Sequence, residues 1–186
     1  MSTEVALGVA GLLVNGVGLA FVAVQVSLAR RQAGNAQKEQ AEERLRLKRQ
    51  ATLEFATATF EVRHALRSVL PDDFDAPAII SLIEECLRGE DPAGLNQILQ
   101  YLGYMETFAV SISLGVHDLE TADSLFGSRF IAVYENYKPF IANRRLLDHR
   151  DYFYRELEWL ADALGDFRAA GLGYDAQGKY LPLAFR

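Results

Sequence analysis

The chain has 186 residues, half of them apolar, with 19 Lys/Arg against 25 Asp/Glu and a formal net charge of −6. That length holds one domain with a real core, and the acidic balance argues against a general nucleic-acid footprint. A single cysteine excludes an intramolecular disulfide and fits a reducing compartment.

The first predicted element is an apolar one. Val5 to Ala29 is a run of 25 residues without a charge, closed by Arg30-Arg31. At about 1.5 Å rise per residue, a helix of that length crosses a hydrocarbon core of about 30 Å with some tilt. A cleaved signal peptide does not fit. Its apolar region is about 7–15 residues behind a basic start, whereas here only Glu4 precedes a longer run and no A-x-A site follows. A buried core helix is rarely apolar all round over so many turns. No other segment is long and apolar enough, so the sequence predicts a single-pass membrane protein. Arg30, Arg31 and Lys38 flank the C-terminal end of the run and mark the cytoplasmic side, which places the N-terminus outside.

One face of this predicted span is small or polar. Gly8, Gly11, Asn15, Gly18, Val22 and Gln25 recur at alternating spacings of three and four, a heptad seam. Leu12, Leu13, Val17, Phe21, Val24 and Leu28 form an opposite, lipid-like side. Glycines allow close helix approach, and an amide in hydrocarbon needs a partner. The seam therefore predicts self-association. Its plainer form is a dimer, and its sharper form is a ring in which Asn15 and Gln25 face a central pore.

A basic stalk follows. Residues 30–50 carry seven Lys/Arg against three Glu, whereas residues 51–186 carry twelve basic and twenty-one acidic residues. Arg30, Arg31 and Lys38 are assigned to lipid headgroups. For Arg44 to Arg49 the lipid and RNA readings both stay open. The organisation read from the chain is a membrane helix over 1–30, a helical stalk over 31–50, a helical domain over 51–170 and a tail over 171–186.

The domain reads as all helix, a bundle without a persistent strand signal. One helix is expected from about Asn35 to Leu70, ended by Pro71-Asp72-Asp73, with Gly34-Asn35 as a swivel before it. A second runs from near Pro77 to Arg88 and stops at Gly89. It carries Ile83, Cys86 and Leu87, so Cys86 is read as a small buried apolar residue. A third opens at Asp91-Pro92, an N-cap followed by proline at the first helical position, and ends at Gly115. A short fourth is expected over Leu119–Phe126, a fifth over Ser128–Arg144 and a sixth over Arg150–Ala169. Tyr134, Tyr137, Phe140, Tyr152, Phe153, Tyr154 and Trp159 fall at helical spacing, which favours core over a docking face.

Catalytic patterns are sparse. There is no C-x-x-C, H-E-x-x-H, P-loop or G-x-S-x-G, and neither a metal site nor a cofactor is predicted. His64 and His117 read as ordinary surface or cap residues. Arg144 and His149 form R-x4-H, in which the arginine can hold a phosphate and the histidine can act as general acid or base. With fifteen arginines and three histidines such a spacing arises about as often as not by composition.

The segment Leu102–Leu164 resembles a bacterial family of unknown function in which one membrane helix precedes a helical cytoplasmic domain. The features that carry the likeness are Asn96 with Tyr104-x-Glu106, the Gly115–Glu120 turn, the Pro139 helix and the Arg144-Arg145 pair. The same layout is similar to HEPN-type helical domains and to the membrane-bound accessory protein of type VI-B CRISPR systems. The resemblance implies an oligomeric assembly in the bacterial inner membrane, acting in defence against phage. Of a HEPN motif only Arg144 and His149 transfer. Arg145 stands where active HEPN ribonucleases carry Asn, His or Asp, which argues against nuclease activity. Two functions are thus expected in competition: a non-enzymatic membrane effector or accessory, and a tethered ribonuclease using Arg144 and His149. A scaffold that docks a soluble protein partner is a third; RNA is not the favoured partner.

Overall fold

In the computed structural model the backbone is described for residues 3–170 and the side chains for residues 25–170. Six helices make up this part: α1 (Thr3–Ala58), α2 (Phe60–Arg67), α3 (Ala76–Leu87), α4 (Pro92–Ser113), α5 (Leu119–Asp148) and α6 (Arg155–Ala169). No strand occurs among the described residues, so the all-α expectation holds. The chain divides into two compact units, Met1–Arg46 and Leu47–Arg186.

The first unit is helix α1 up to Arg46. Gln25 to Arg46 are exposed side chains apart from Gly34 and Leu45. Gly34-Asn35 does not break the helix, which corrects the expected swivel. One helical glycine costs about 1 kcal/mol relative to alanine, and Gln32, Ala33, Ala36 and Gln37 around it sustain helix. Among the described residues no helix is long and apolar enough to cross a membrane. The side chains of Val5 to Val24 lie outside the described residues, and with them Gly8, Gly11, Asn15, Gly18 and Val22 of the seam. Gln25 is exposed. The predicted tail, 171–186, also lies outside.

In the second unit the helix expected to run to Leu70 is interrupted at Thr59. Thr52, Thr57 and Thr59 each turn their hydroxyl back onto the carbonyl four residues earlier, at 2.8, 2.9 and 2.8 Å. Such back-bonding bends helices. The Thr59 hydroxyl also meets the Tyr104 hydroxyl at 2.9 Å, so the break is fixed against α4.

Helices α3, α4 and α5 start on aspartate caps. Asp75, Asp91 and Asp118 accept from the backbone N–H of Ala78, Gly94 and Thr121 at 3.2, 2.8 and 2.9 Å. At the other end of α4 the cap is Leu114, and Gly115 follows it at φ +71°. The N–H groups of Gly115 and Val116 return to Ile112 and Ser111 at 2.9 Å each, closing the last turn.

The expected fourth and fifth helices are one. Gly127, which falls between the two expected segments, sits inside α5 and is buried. An added Cβ there would lie 2.0 Å from Asp123 Oδ1 and 2.5 Å from Arg168 Nη2. The glycine makes room for a crossing side chain and does not stop the helix. Pro139 is likewise held within α5, beside the buried Tyr137, Phe140 and Ile141. Helix α6 begins at Arg155, later than expected, because His149 (φ 51°) and Tyr154 (φ 56°) adopt left-handed backbone in the turn before it.

The core is built on α4. Ile98, Tyr101, Leu102, Met105, Phe108 and Ile112 are buried at spacings of three and four, against Ile79 and Ile83 of α3, Phe130 to Ile141 of α5, and Leu157, Leu160 and Leu164 of α6. Cys86 is a buried free thiol, as expected, while its neighbour Leu87 is exposed. Phe108 stacks on Phe55 and Phe130 with ring centroids 4.9 and 5.4 Å away.

Candidate functional site

Arg144 and His149 close α5. Arg144 pairs with Asp148 one turn on, Nη2 to Oδ2 at 2.7 Å, and His149 is the exposed left-handed cap residue. No hydrogen bond or ion pair joins the two among the described residues. Arg145 does the structural work. Its Nε donates to the Phe153 carbonyl at 2.9 Å and its Nη2 to Glu158 Oε2 at 2.8 Å, which fastens the α5–α6 turn and α6 to α5. The Tyr134 hydroxyl donates to the other Glu158 oxygen, and that bond, with Arg145, holds the carboxyl below its usual range. The residue that departs from the HEPN pattern is therefore a fastening for the helices.

The other features of the resemblance are also packing devices. Helix α6 has no side-chain cap of its own at Tyr154. Glu106 of α4 supplies one, accepting the N–H of Glu156 at 3.2 Å and of Leu157 at 2.7 Å. Burial pushes the Glu106 carboxyl up, and the two backbone donors hold it back. In the Gly115–Glu120 turn, Glu120 meets Arg49 at 2.6 Å and the Asp118 N–H donates to Thr52 at 2.9 Å. Asn96 is exposed.

Arg49 is thus engaged inside the second unit, and Arg46 pairs with Glu43 at 2.7 Å inside the first. Arg30, Arg31, Lys38 and Arg44 are exposed. His64 lies on the surface as expected, stacked on Phe60. His117 does not. It is buried between Phe55 and Phe108, at centroid distances of 5.1 and 5.3 Å, and burial lowers its pKa. Of the aromatic residues read as core, Tyr134, Tyr137 and Phe140 are buried, Phe153 and Tyr154 half-buried, and Tyr152 and Trp159 exposed.

Two buried carboxylates were not singled out by the sequence. Asp73, read only as a helix terminator, accepts from the Tyr101 hydroxyl at 2.9 Å and lies 3.0 and 2.9 Å from the Nε of Arg67 and of Arg129. Burial pushes its carboxyl up, against the Tyr101 bond and the two guanidiniums. Asp123 is held by Arg168 Nε at 2.8 Å. Among the described residues no cluster of side chains is arranged to hold a metal ion.

No curated protein and no solved structure matches the chain. The expectation of a family without an assigned function is met, while the HEPN and CRISPR-accessory likenesses gain nothing from these comparisons. With residues 10–164 matched, the chain belongs to the family described as Domain of unknown function (DUF4760).

Proposed function

We propose that the chain is a self-associating single-pass membrane protein with its helical domain in the cytoplasm, serving as an effector or accessory and not as an enzyme. The observation that carries this reading is the uncharged run Val5–Ala29, with its Gly8, Gly11, Asn15, Gly18, Val22 and Gln25 seam and its Arg30-Arg31 stop. The unbroken helical backbone from Thr3 onward supports it. Arg30, Arg31 and Lys38, all exposed, are placed by this reading at anionic headgroups of the bacterial inner membrane. A ring of seams would turn Asn15 and Gln25 toward a pore axis. The setting in antiphage defence and the HEPN-like character rest on the sequence resemblance alone.

The test is the mass of the detergent-solubilised particle, for the native chain and for a variant carrying Asn15→Leu and Gln25→Leu. The expected result is an oligomer that the double variant weakens. A monomeric native particle overturns the reading. The rival ribonuclease reading draws no support from the geometry of Arg144, which is turned to Asp148.

A further inference from the structure

Between the N-terminal half of α5 and the end of α6, within the second unit, lies an open cleft of about 450 Å3 lined by Phe74, Asp123, Ser128, Arg129 and Arg168, with Leu125 at its edge. That volume falls in the range of small-molecule sites, about 300–1,000 Å3. Two guanidiniums stand in its wall, and a buried carboxylate fixes each from behind through Nε. Arg129 is held by Asp73 at 2.9 Å and Arg168 by Asp123 at 2.8 Å. The carboxylate side chains are 2% and 0% exposed, whereas the arginine side chains are 29% and 28% exposed, so the arginines are reachable.

Their donors are only partly used. Arg168 Nη1 donates to Ser128 Oγ at 2.9 Å. The Nη nitrogens of Arg129 make no hydrogen bond among the described residues, and a guanidinium fork of that kind is matched by an oxyanion with several lone pairs. The second oxygen of Asp123 is buried without a hydrogen bond, so this carboxylate acts on the cleft through Arg168. At the mouth, the Phe74 ring is 59% exposed and offers a flat apolar face. Gly127 shows that this arrangement is built in. A helix-interior glycine costs about 1 kcal/mol against alanine, and here it leaves the space in which Arg168 crosses to Asp123.

We propose that this cleft binds a small phosphate monoester that carries a flat ring, in the manner of a nucleoside monophosphate. The phosphate meets the Arg129 and Arg168 forks, and the ring covers Phe74. The inference concerns the helical domain alone and does not depend on the membrane reading.

The experiment is calorimetric titration of the full chain in detergent and phosphate-free buffer, with AMP, adenosine and inorganic phosphate as probes. AMP is expected to bind saturably, with phosphate competing and adenosine failing to saturate. Arg129→Lys keeps the charge opposite Asp73 but removes the fork, and Phe74→Ala removes the ring from an exposed position. Each is expected to weaken AMP at least about tenfold, the loss of roughly one charge-assisted bond or one stacking contact. Absence of AMP binding by the folded native chain overturns the proposal, as does binding that both variants leave unchanged.

Discussion

From Gln25 to Arg46 the helix presents nearly every side chain outward, and its described ion pair is the local Glu43–Arg46 contact on the helix surface. From Leu47 onward several charged residues also pair between separate elements of the fold. Arg49 finds Glu120, Arg67 and Arg129 find Asp73, and Arg168 finds Asp123. The same residue types thus serve different ends. In the first unit a charge is a surface property, open to lipid, solvent or another molecule. In the second, the pairs made by Asp73, Glu120 and Asp123 join separate segments, and their loss is a loss of fold, beside local surface pairs such as Lys138–Glu135.

The sharpest way to break that contrast is to remove one charge from each unit. Asp73→Ala leaves two half-buried guanidiniums and the Tyr101 hydroxyl without their shared acceptor. Because the arginines keep some solvent, the expected cost is near the low end for a broken buried pair, about 3 kcal/mol. Thermal denaturation should show a fall of many degrees. Arg46→Ala should leave the melting temperature unchanged. Equal effects of the two substitutions would refute the distinction.

Glycines provide the next test, with opposite signs. At Gly127 a Cβ would overlap Asp123 and Arg168, so Gly127→Ala is expected to cost about 1–3 kcal/mol through displaced packing. At Gly34 nothing lies within 4 Å of the added atom. Gly34→Ala should raise helicity by circular dichroism, with a local gain of up to about 1 kcal/mol. A stabilising Gly127→Ala would mean that the Arg168 crossing does not constrain the site.

Those two glycines also show how far the sequence could be read. The start of α4 was legible at Asp91-Pro92, and its end at Gly115, because caps and turn residues act within a few positions of themselves. Its buried face was largely legible through the spacing of Leu95, Ile98, Leu99, Leu102, Met105, Phe108 and Ile112, of which Leu95 and Leu99 are only half-buried. Gly127 was not, since the reason for it is Arg168, on another helix. The start of α6 was misplaced for a similar reason: the group that caps it is Glu106, from α4. Of the candidate site, the R-x4-H spacing located a helix end but not a constellation. Asp73 and Asp123 carry no local pattern, and Tyr101, Arg129 and Arg168 reach them from distant segments.

The borrowed cap yields the third prediction. Glu106→Ala removes the acceptor for two N–H groups at the start of α6 and should cost about 1–2 kcal/mol in chemical denaturation. The two N–H groups use different oxygens of Glu106, so Glu106→Gln keeps one acceptor, sets an amide donor against the other N–H, and should recover only part of that loss. If the two variants are equally destabilised, charge at the helix N-terminus outweighs the hydrogen bonds.

The smallest effect expected is one of pH, at His117. Burial between Phe55 and Phe108 lowers its pKa in the folded chain, so folding favours the neutral ring. The unfolded chain takes up its proton near the ordinary value of about 6.5, and the folded chain only at lower pH. Stability from this residue is therefore complete above about 6.5 and declines as pH falls below it. Its Nδ1 makes no hydrogen bond, so His117→Phe removes the titration without removing a described partner. Melting temperatures taken from pH 7.5 down to 5 should fall more steeply for the native chain than for His117→Phe. Parallel curves would show that the aromatic slot opens to admit the charged ring, and that this turn yields more readily than the rest of the second unit.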